Sequence, residues 1–287
     1  MTYFQQLISC VDLHAILGSE NLVILDASIP PVGNMAAPEN SWPEYRIPSA
    51  RRFDLNKDFS DPISTLPHTM PTSEHFEQAA KALGINQQSQ IVVYDDLGLF
   101  SAARAWYMFR AMGHKNIAVL DGGLPYWLKL KKPIDERSNF IDDTPKVVAG
   151  NFVAKAQVDF FCNWQDVEAQ TRSQVNLILD ARANRRFTGA DAEPRSGVRS
   201  GHMPNAKNLP YNDLLTHGRL KSPDELAEIF TDINTDKKAM IMTCGSGVTA
   251  CVLALAADIV NIKDVRVYEG SWSEWGSLTH TEVVTST

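Results

Sequence analysis

The chain has 287 residues, enough for about two ordinary domains, with 27 Lys plus Arg against 34 Asp plus Glu and a formal net charge of −7. Apolar residues make up 44% and charged residues 21%, globular proportions that exclude a wholly disordered chain. The acidic balance offers no general electrostatic footprint for nucleic acid, so no nucleic-acid partner is expected.

In chain order, the N-terminus MTYFQQLISCVDLHAIL has no basic n-region and no arginine, which reads against a secretory signal and a transit peptide. LVILDA, a short apolar run ending in Asp26, predicts a buried strand. SEHFEQAAKALG (73–84) has helical spacing, a Ser start signal and Gly84 as its stop. IVVYD and IAVLD predict two more strands, on either side of SAARAWYMFRAMG (101–113). The polar, proline-containing stretch 131–151 has no clean period and predicts a linker, placed at 138–154. Beyond it, NLILDA, AMIMT and VRVYE predict strands, and SPDELAEIFTDI (222–233) a Ser-capped helix. The longest apolar runs, such as VLALAA at 252–257, fall far short of the ~20 residues that span a bilayer, so no membrane partner is expected.

The two halves read as one pattern written twice. Asp26 and Asp180 are offset by 154, Pro48 and Pro204 by 156, and both Gly122–Gly270 and Trp127–Trp275 by 148. A repeat of about 150 residues is a tandem domain pair, because solenoid repeats run ~20–50 residues. Strands alternating with helices imply an α/β fold with mainly parallel sheets flanked by helices. The expected division is 1–137, a linker at 138–154, and 155–287.

Four cysteines in a chain this long are no disulfide framework, and neither CxxC nor HExxH is present, so no metal or cofactor is expected. The expectation is a cytoplasmic protein with reduced thiols. The chemistry concentrates in AMIMTCGSGVTACVLAL, which reads as strand, loop and helix. The strand ends near Thr243, Cys244 follows, and a helix starts near Val248. Gly245 and Gly247 allow the backbone to curl and aim several N–H groups at one point, and the helix adds its positive end. A thiol held there tends towards thiolate, the nucleophilic form. The matching loop of the first half, YDDLGLFSAARAW, carries Asp95 in place of Cys244 and is longer, so only the second half is equipped for thiol chemistry. Cys251 falls on the following helix and reads as core. Cys10 and Cys162 occupy similar places in their halves and read as packing. His202 reads as a turn residue, Trp127 and Trp275 as core anchors, and Trp272 as either core or pocket wall.

CGSGVTA (244–250), LDARANRRFTGADAEPRSG (179–197), SGHMPNAKNLP (200–210) and YEGSWSEW (268–275) together resemble the two-domain rhodanese superfamily. YRIPSARRFDL, LPHTMP and LDGGLPYWL extend the resemblance over the first half. Within the superfamily the chain is most similar to the branch that takes sulfur from 3-mercaptopyruvate. The resemblance implies two rhodanese-like domains, only the C-terminal one catalytic, and transfer of sulfur through a persulfide on Cys244 with release of pyruvate. It implies substrate contacts from Ser246 and the loop residues Gly245, Gly247, Val248 and Thr249. Arg186 and Arg195 match two arginines that hold the substrate carboxylate. His68 matches a histidine linked to the loop serine, while the place of a family acidic residue is taken by Asn56. The implied acceptor is a thiol such as thioredoxin, or cyanide in an assay.

The charge pattern agrees with a carboxylate-bearing donor. Residues 182–199 hold five arginines (182, 185, 186, 195, 199) against Asp191 and Glu193, a local +3. The loop 245–250 is itself uncharged, whereas thiosulfate-preferring relatives tend to carry cations there. Thiosulfate as donor remains an alternative, as does a non-catalytic binding module. A cysteine phosphatase is disfavoured because the residue six after Cys244 is Ala250, where that chemistry needs an arginine.

Overall fold

In the computed structural model of the protein, residues 5–29, 43–136 and 147–286 are described. In the first half the strands are β1 (Leu7–Ile8), β2 (Leu22–Asp26), β3 (Tyr45–Arg46), β4 (Arg51–Arg52), β5 (Gln90–Tyr94), β6 (Ile117–Leu120) and β7 (Asp135–Glu136). The helices there are α1 (Cys10–Ala15), α2 (Ser73–Ala82), α3 (Ala102–Ala111) and α4 (Gly123–Lys129). In the second half the strands are β8 (Phe161–Cys162), β9 (Leu177–Asp180), β10 (Lys207–Asn208), β11 (Leu215–Thr216), β12 (Arg219–Leu220), β13 (Met240–Thr243) and β14 (Val265–Tyr268). Its helices are α5 (Trp164–Ser173), α6 (Asn184–Thr188), α7 (Pro223–Ile233), α8 (Ala250–Ile259) and α9 (Ser271–Trp275).

Each half builds a five-stranded sheet. The orders are β1-β6-β5-β2-β4 and β8-β14-β13-β9-β10, which is one topology used twice. Every pairing within the two sheets is parallel. The duplication extends to single hydrogen bonds. Ala27 N–H donates to the Tyr94 carbonyl at 2.9 Å and Ala181 N–H to the Thr243 carbonyl at 2.8 Å. The central strands carry apolar side chains on both faces because helices cover both, so they read as continuous apolar runs.

The chain divides into two units, and each takes one short segment from the other half of the sequence. One consists of Met1–Pro62, Met70–Gln157 and His217–Arg219; the other consists of Ile63–Thr69, Val158–Thr216 and Leu220–Thr287. The borrowed segments start at matched places, since Ile63 and His217 share the 154-residue offset of Asp26 and Asp180.

Two expectations need amendment. Residues 138–146 of the expected linker lie outside the described residues, but 147–157 run along the first unit. Gly150 N–H donates to the Lys81 carbonyl, and Phe152 is buried against Phe76 and Phe109, with ring centroids 6.0 and 5.9 Å away. One buried aromatic side chain outweighs the local loop composition. The cap of α2 is Thr72, which accepts from His75 N–H, rather than Ser73. Ser222 caps α7 as expected, in a capping box with Glu225. Among the described residues no helix is long and apolar enough to cross a membrane.

Candidate active site

Cys244 follows the last residue of β13, the central strand of the second sheet. The chain leaves β9 towards β10 on one side and β13 towards β14 on the other, so the order reverses between β9 and β13. Crevices for ligands open at the carboxyl ends of strands at such a reversal. Helix α8 starts at Ala250, two residues later than the sequence suggests. The intervening residues form a turn in which Gly247 takes φ 73°, a left-handed conformation suited to glycine. Cys244, Ser246, Val248 and Thr249 are all buried.

The outside of this loop is pinned by a turn whose role the sequence reading missed. Ser271 Oγ accepts the Cys244 N–H at 3.2 Å. Trp272 N–H donates to the Cys244 carbonyl at 2.9 Å. Ser273 donates to the Gly245 carbonyl twice, from N–H at 2.8 Å and from Oγ at 2.6 Å. The Cys251 thiol, the core residue expected on α8, donates to the Gly247 carbonyl at 3.3 Å. The signal for the two serines was present in the duplication, because the first half has Gly123 and Pro125 in their places.

The first sheet shows what such a loop holds. Asp95 stands after β5 as Cys244 stands after β13, and Leu124 N–H donates to its carbonyl at 2.9 Å just as Trp272 does for Cys244. The Asp95 carboxylate turns into its own loop and accepts four backbone N–H groups. They come from Leu97 at 3.0 Å, Phe100 at 2.8 Å, Ser101 at 2.9 Å and Ala102 at 2.8 Å. This is an anion nest filled by a side chain.

His68 belongs with the second unit despite its position in the first half. Its Nδ1 lies 3.0 Å from Ser246 Oγ. The surrounding turn is held by its own side chains, with Ser64 Oγ 2.7 Å from Thr69 Oγ1 and accepting from Leu66 N–H. Asn56 lies in the first unit, where its N–H donates to Asp54 Oδ1.

The five arginines separate into distinct duties. Arg182 is fully buried and donates to both oxygens of Asp180, to Glu193 Oε1 at 2.8 Å and to the Gly201 carbonyl. Burial works against its charge, but Asp180 and Glu193 outweigh this and raise its pKa. Arg185 pairs with Asp191 at the surface. Arg199 donates to the carbonyls of Trp275, Gly276, Leu278 and Thr281, and so ties down the C-terminal segment. Arg186 pairs with Glu193 at 2.5 Å, and its guanidinium lies over Gly245, where an added Cβ would stand 3.2 Å from Nη2. Arg195 is half-buried; burial and then the Arg186 charge lower its pKa, against the opposing pull of Cys244 and Glu193. Arg186 is thus the guanidinium placed against the cysteine loop, and Arg195 feels the charges of Arg186, Glu193 and Cys244. The local +3 overstates the positive charge there, since three of the five arginines serve structure.

The remaining candidates are structural. Trp272 is core rather than pocket wall, with Arg182 4.3 Å above its ring and Nε1 donating to the Arg199 carbonyl. Core packing also buries Trp127 and Trp275. The His202 ring stacks on Phe187 at 3.9 Å. Burial pushes the thiols of Cys10 and Cys162 up to about 11 and about 12. Among the described residues no group of His, Cys, Asp and Glu is suited to a metal ion.

The chain is similar to known proteins over most of its length. The model of the rhodanese-like domain matches twice, over residues 9–130 and 163–278. Human 3-mercaptopyruvate sulfurtransferase is 38% identical over 92% of this chain and 88% of its own. Mouse thiosulfate sulfurtransferase is 38% identical over 89% of this chain and 85% of its own. The crystal structure of SseA from Escherichia coli, a 3-mercaptopyruvate sulfurtransferase, superposes with a TM-score of 0.82 at 32% identity, covering 94% of this chain and 99% of that one.

Proposed function

The chain belongs to the rhodanese-like domain family, and from that premise we propose how its second unit works. The activity is transfer of sulfur from 3-mercaptopyruvate to a nucleophilic acceptor, with release of pyruvate. Cys244 thiolate attacks the donor sulfur and a new S–S bond forms. The C–S bond breaks, and its electron pair leaves with the carbon as the enolate, which becomes pyruvate on protonation. The acceptor thiolate then takes the outer sulfur and regenerates the Cys244 thiolate, a ping-pong scheme. Arg186 and Arg195 hold the donor carboxylate by bidentate, charge-assisted hydrogen bonds. Ser246 and His68 form the hydroxyl–imidazole pair that handles the donor's carbonyl oxygen and the proton it gains. Gly245, Gly247, Val248 and Thr249 present the backbone of the loop to the sulfur.

The observation that carries this reading is the contrast between the loops. The position equivalent to Cys244 places a negatively charged side chain among four inward N–H groups, so the architecture favours an anion at this strand end. The thiolate and the persulfide are such anions. The first half, with Asp95, is the non-catalytic partner. The acceptor is a thiol such as reduced thioredoxin and the compartment is the cytoplasm, a reading supported by the absence of a disulfide framework in the cysteine pattern. A net charge of −7 supports small-molecule substrates over nucleic acid.

The test is intact mass after incubation with 3-mercaptopyruvate, with thiosulfate in parallel. One added sulfur on Cys244, lost on adding thiol and accompanied by one pyruvate, is expected. A sulfur on another residue, or faster loading from thiosulfate, would overturn the assignment.

A further inference from the structure

We propose that Ser273 is a positioning residue of the sulfur-transfer loop. It fixes the peptide between Gly245 and Ser246 so that the Ser246 N–H faces the outer sulfur of the Cys244 persulfide. The inference rests on the persulfide reading above.

In a trans peptide the C=O and N–H point in opposite directions. Ser273 grips the Gly245 carbonyl from outside the loop with two donors, at 2.8 and 2.6 Å. The N–H of the same peptide plane, that of Ser246, therefore points away from Ser273. The first unit shows where that amide goes. Leu97 stands two residues after Asp95, as Ser246 stands two after Cys244, and its N–H donates to Asp95 Oδ1 at 3.0 Å. An N–H at this place serves a negative group carried by the residue two positions earlier.

The internal repeat also shows that the grip accompanies the cysteine. Both turns keep the neighbouring bond, from Trp272 to Cys244 and from Leu124 to Asp95, each 2.9 Å. One residue further on, Ser273 has an N–H and a hydroxyl, whereas Pro125 has neither. Asp95 carries a fixed carboxylate held by three further amides. A persulfide forms only during turnover, so its cradle has to stand ready while empty. Ser273 is itself held, since its carbonyl accepts from Ser277 Oγ at 2.7 Å and the residue is buried.

Two variants and the wild type test this. Ser273→Ala removes the hydroxyl and keeps the N–H; Ser273→Thr keeps both. Each is loaded with 3-mercaptopyruvate in a single turnover, and pyruvate release, KM and the half-life of the persulfide by intact mass are read. Ser273→Ala is expected to slow pyruvate release and shorten the persulfide half-life by about fivefold, the scale of losing one ordinary hydrogen bond. KM is expected to stay within about twofold, and Ser273→Thr to restore both rates. Circular dichroism confirms that each variant is folded. Equal rates in wild type and Ser273→Ala, a change confined to KM, or a folded Ser273→Thr that fails to rescue overturns the proposal. If Ser273→Ala is unfolded, the decision falls to Ser273→Thr and Ser273→Cys: Thr must match wild type and Cys, whose thiol is a weaker donor, must be slower, and equal rates in all three overturn the proposal. Wild type that gains no sulfur refutes the persulfide reading instead.

Discussion

His68 Nδ1 and Ser246 Oγ lie 3.0 Å apart although 178 positions separate them in the chain. His68 holds a left-handed backbone conformation, φ 62°, to make that approach. Such strain in a non-glycine residue persists where the surrounding turn over-determines it. If the pair works as a unit, removing either member removes most of its effect. His68→Ala and Ser246→Ala are each expected to lower kcat/KM for 3-mercaptopyruvate about ten- to a hundredfold. The double variant is expected to be little worse than either single one. Fully additive losses in a double-mutant cycle would show that the two act independently.

The four thiols differ in environment. Cys244→Ser is expected to abolish turnover, while Cys10→Ser, Cys162→Ser and Cys251→Ser keep most of it. Iodoacetamide at neutral pH is expected to label Cys244 first, since the Cys10 and Cys162 thiols are pushed up to about 11 and about 12 by burial. A raised thiol stabilises the fold while it stays protonated. That contribution is complete below the ordinary thiol value of ~8.5 and is lost as pH rises through about 11 for Cys10. Tm is expected to fall over this window, with a shallower fall in Cys10→Ala.

Arg182 and Arg186 share one carboxylate, Glu193, yet their losses are expected to appear in different measurements. Arg186→Ala and Arg195→Ala are expected to depress kcat/KM for 3-mercaptopyruvate by ~1.5–3 kcal/mol, about ten- to a hundredfold, with partial rescue by Lys. Arg182→Ala leaves Asp180 buried without its partner and is expected to cost ~3–5 kcal/mol of stability, read by urea denaturation. Gly245→Ala pushes a methyl group towards the Arg186 guanidinium and is expected to raise KM several-fold without unfolding the protein. Unchanged kinetics in both alanine variants at 186 and 195 would remove these arginines from the donor site.

Asp95 satisfies four amides, so Asp95→Ala is expected to cost at least ~3 kcal/mol of stability, and Asp95→Asn less. Asp95→Cys is expected to acquire no second sulfur. The first-unit loop lacks the Ser273 grip, and the Gly218 backbone closes on Gly98, where an added Cβ would lie 3.0 Å from its carbonyl oxygen. Two added sulfurs by intact mass would contradict this.

Much of the molecule was determined by sequence alone. Short apolar runs ending in Asp26, Tyr94, Asp180 and Thr243 mark the central strands because a sheet covered on both faces needs apolar side chains at every position. The matched offsets establish two copies of one topology, and Cys244 before Gly-Ser-Gly marks the glycine turn at the end of the central strand, since these signals are local in the chain. Only the tertiary structure decided which arginines are tied into structural pairs. Arg182, Arg186 and Arg195 are equal as charges, but their duties follow from distant partners, Asp180, Glu193 and the cysteine loop. It also decided that Phe152 completes a core rather than a linker, and that a serine 28 positions beyond Gly245 holds its carbonyl. Such pairings depend on where the folded chain brings its segments together, and no local periodicity encodes them.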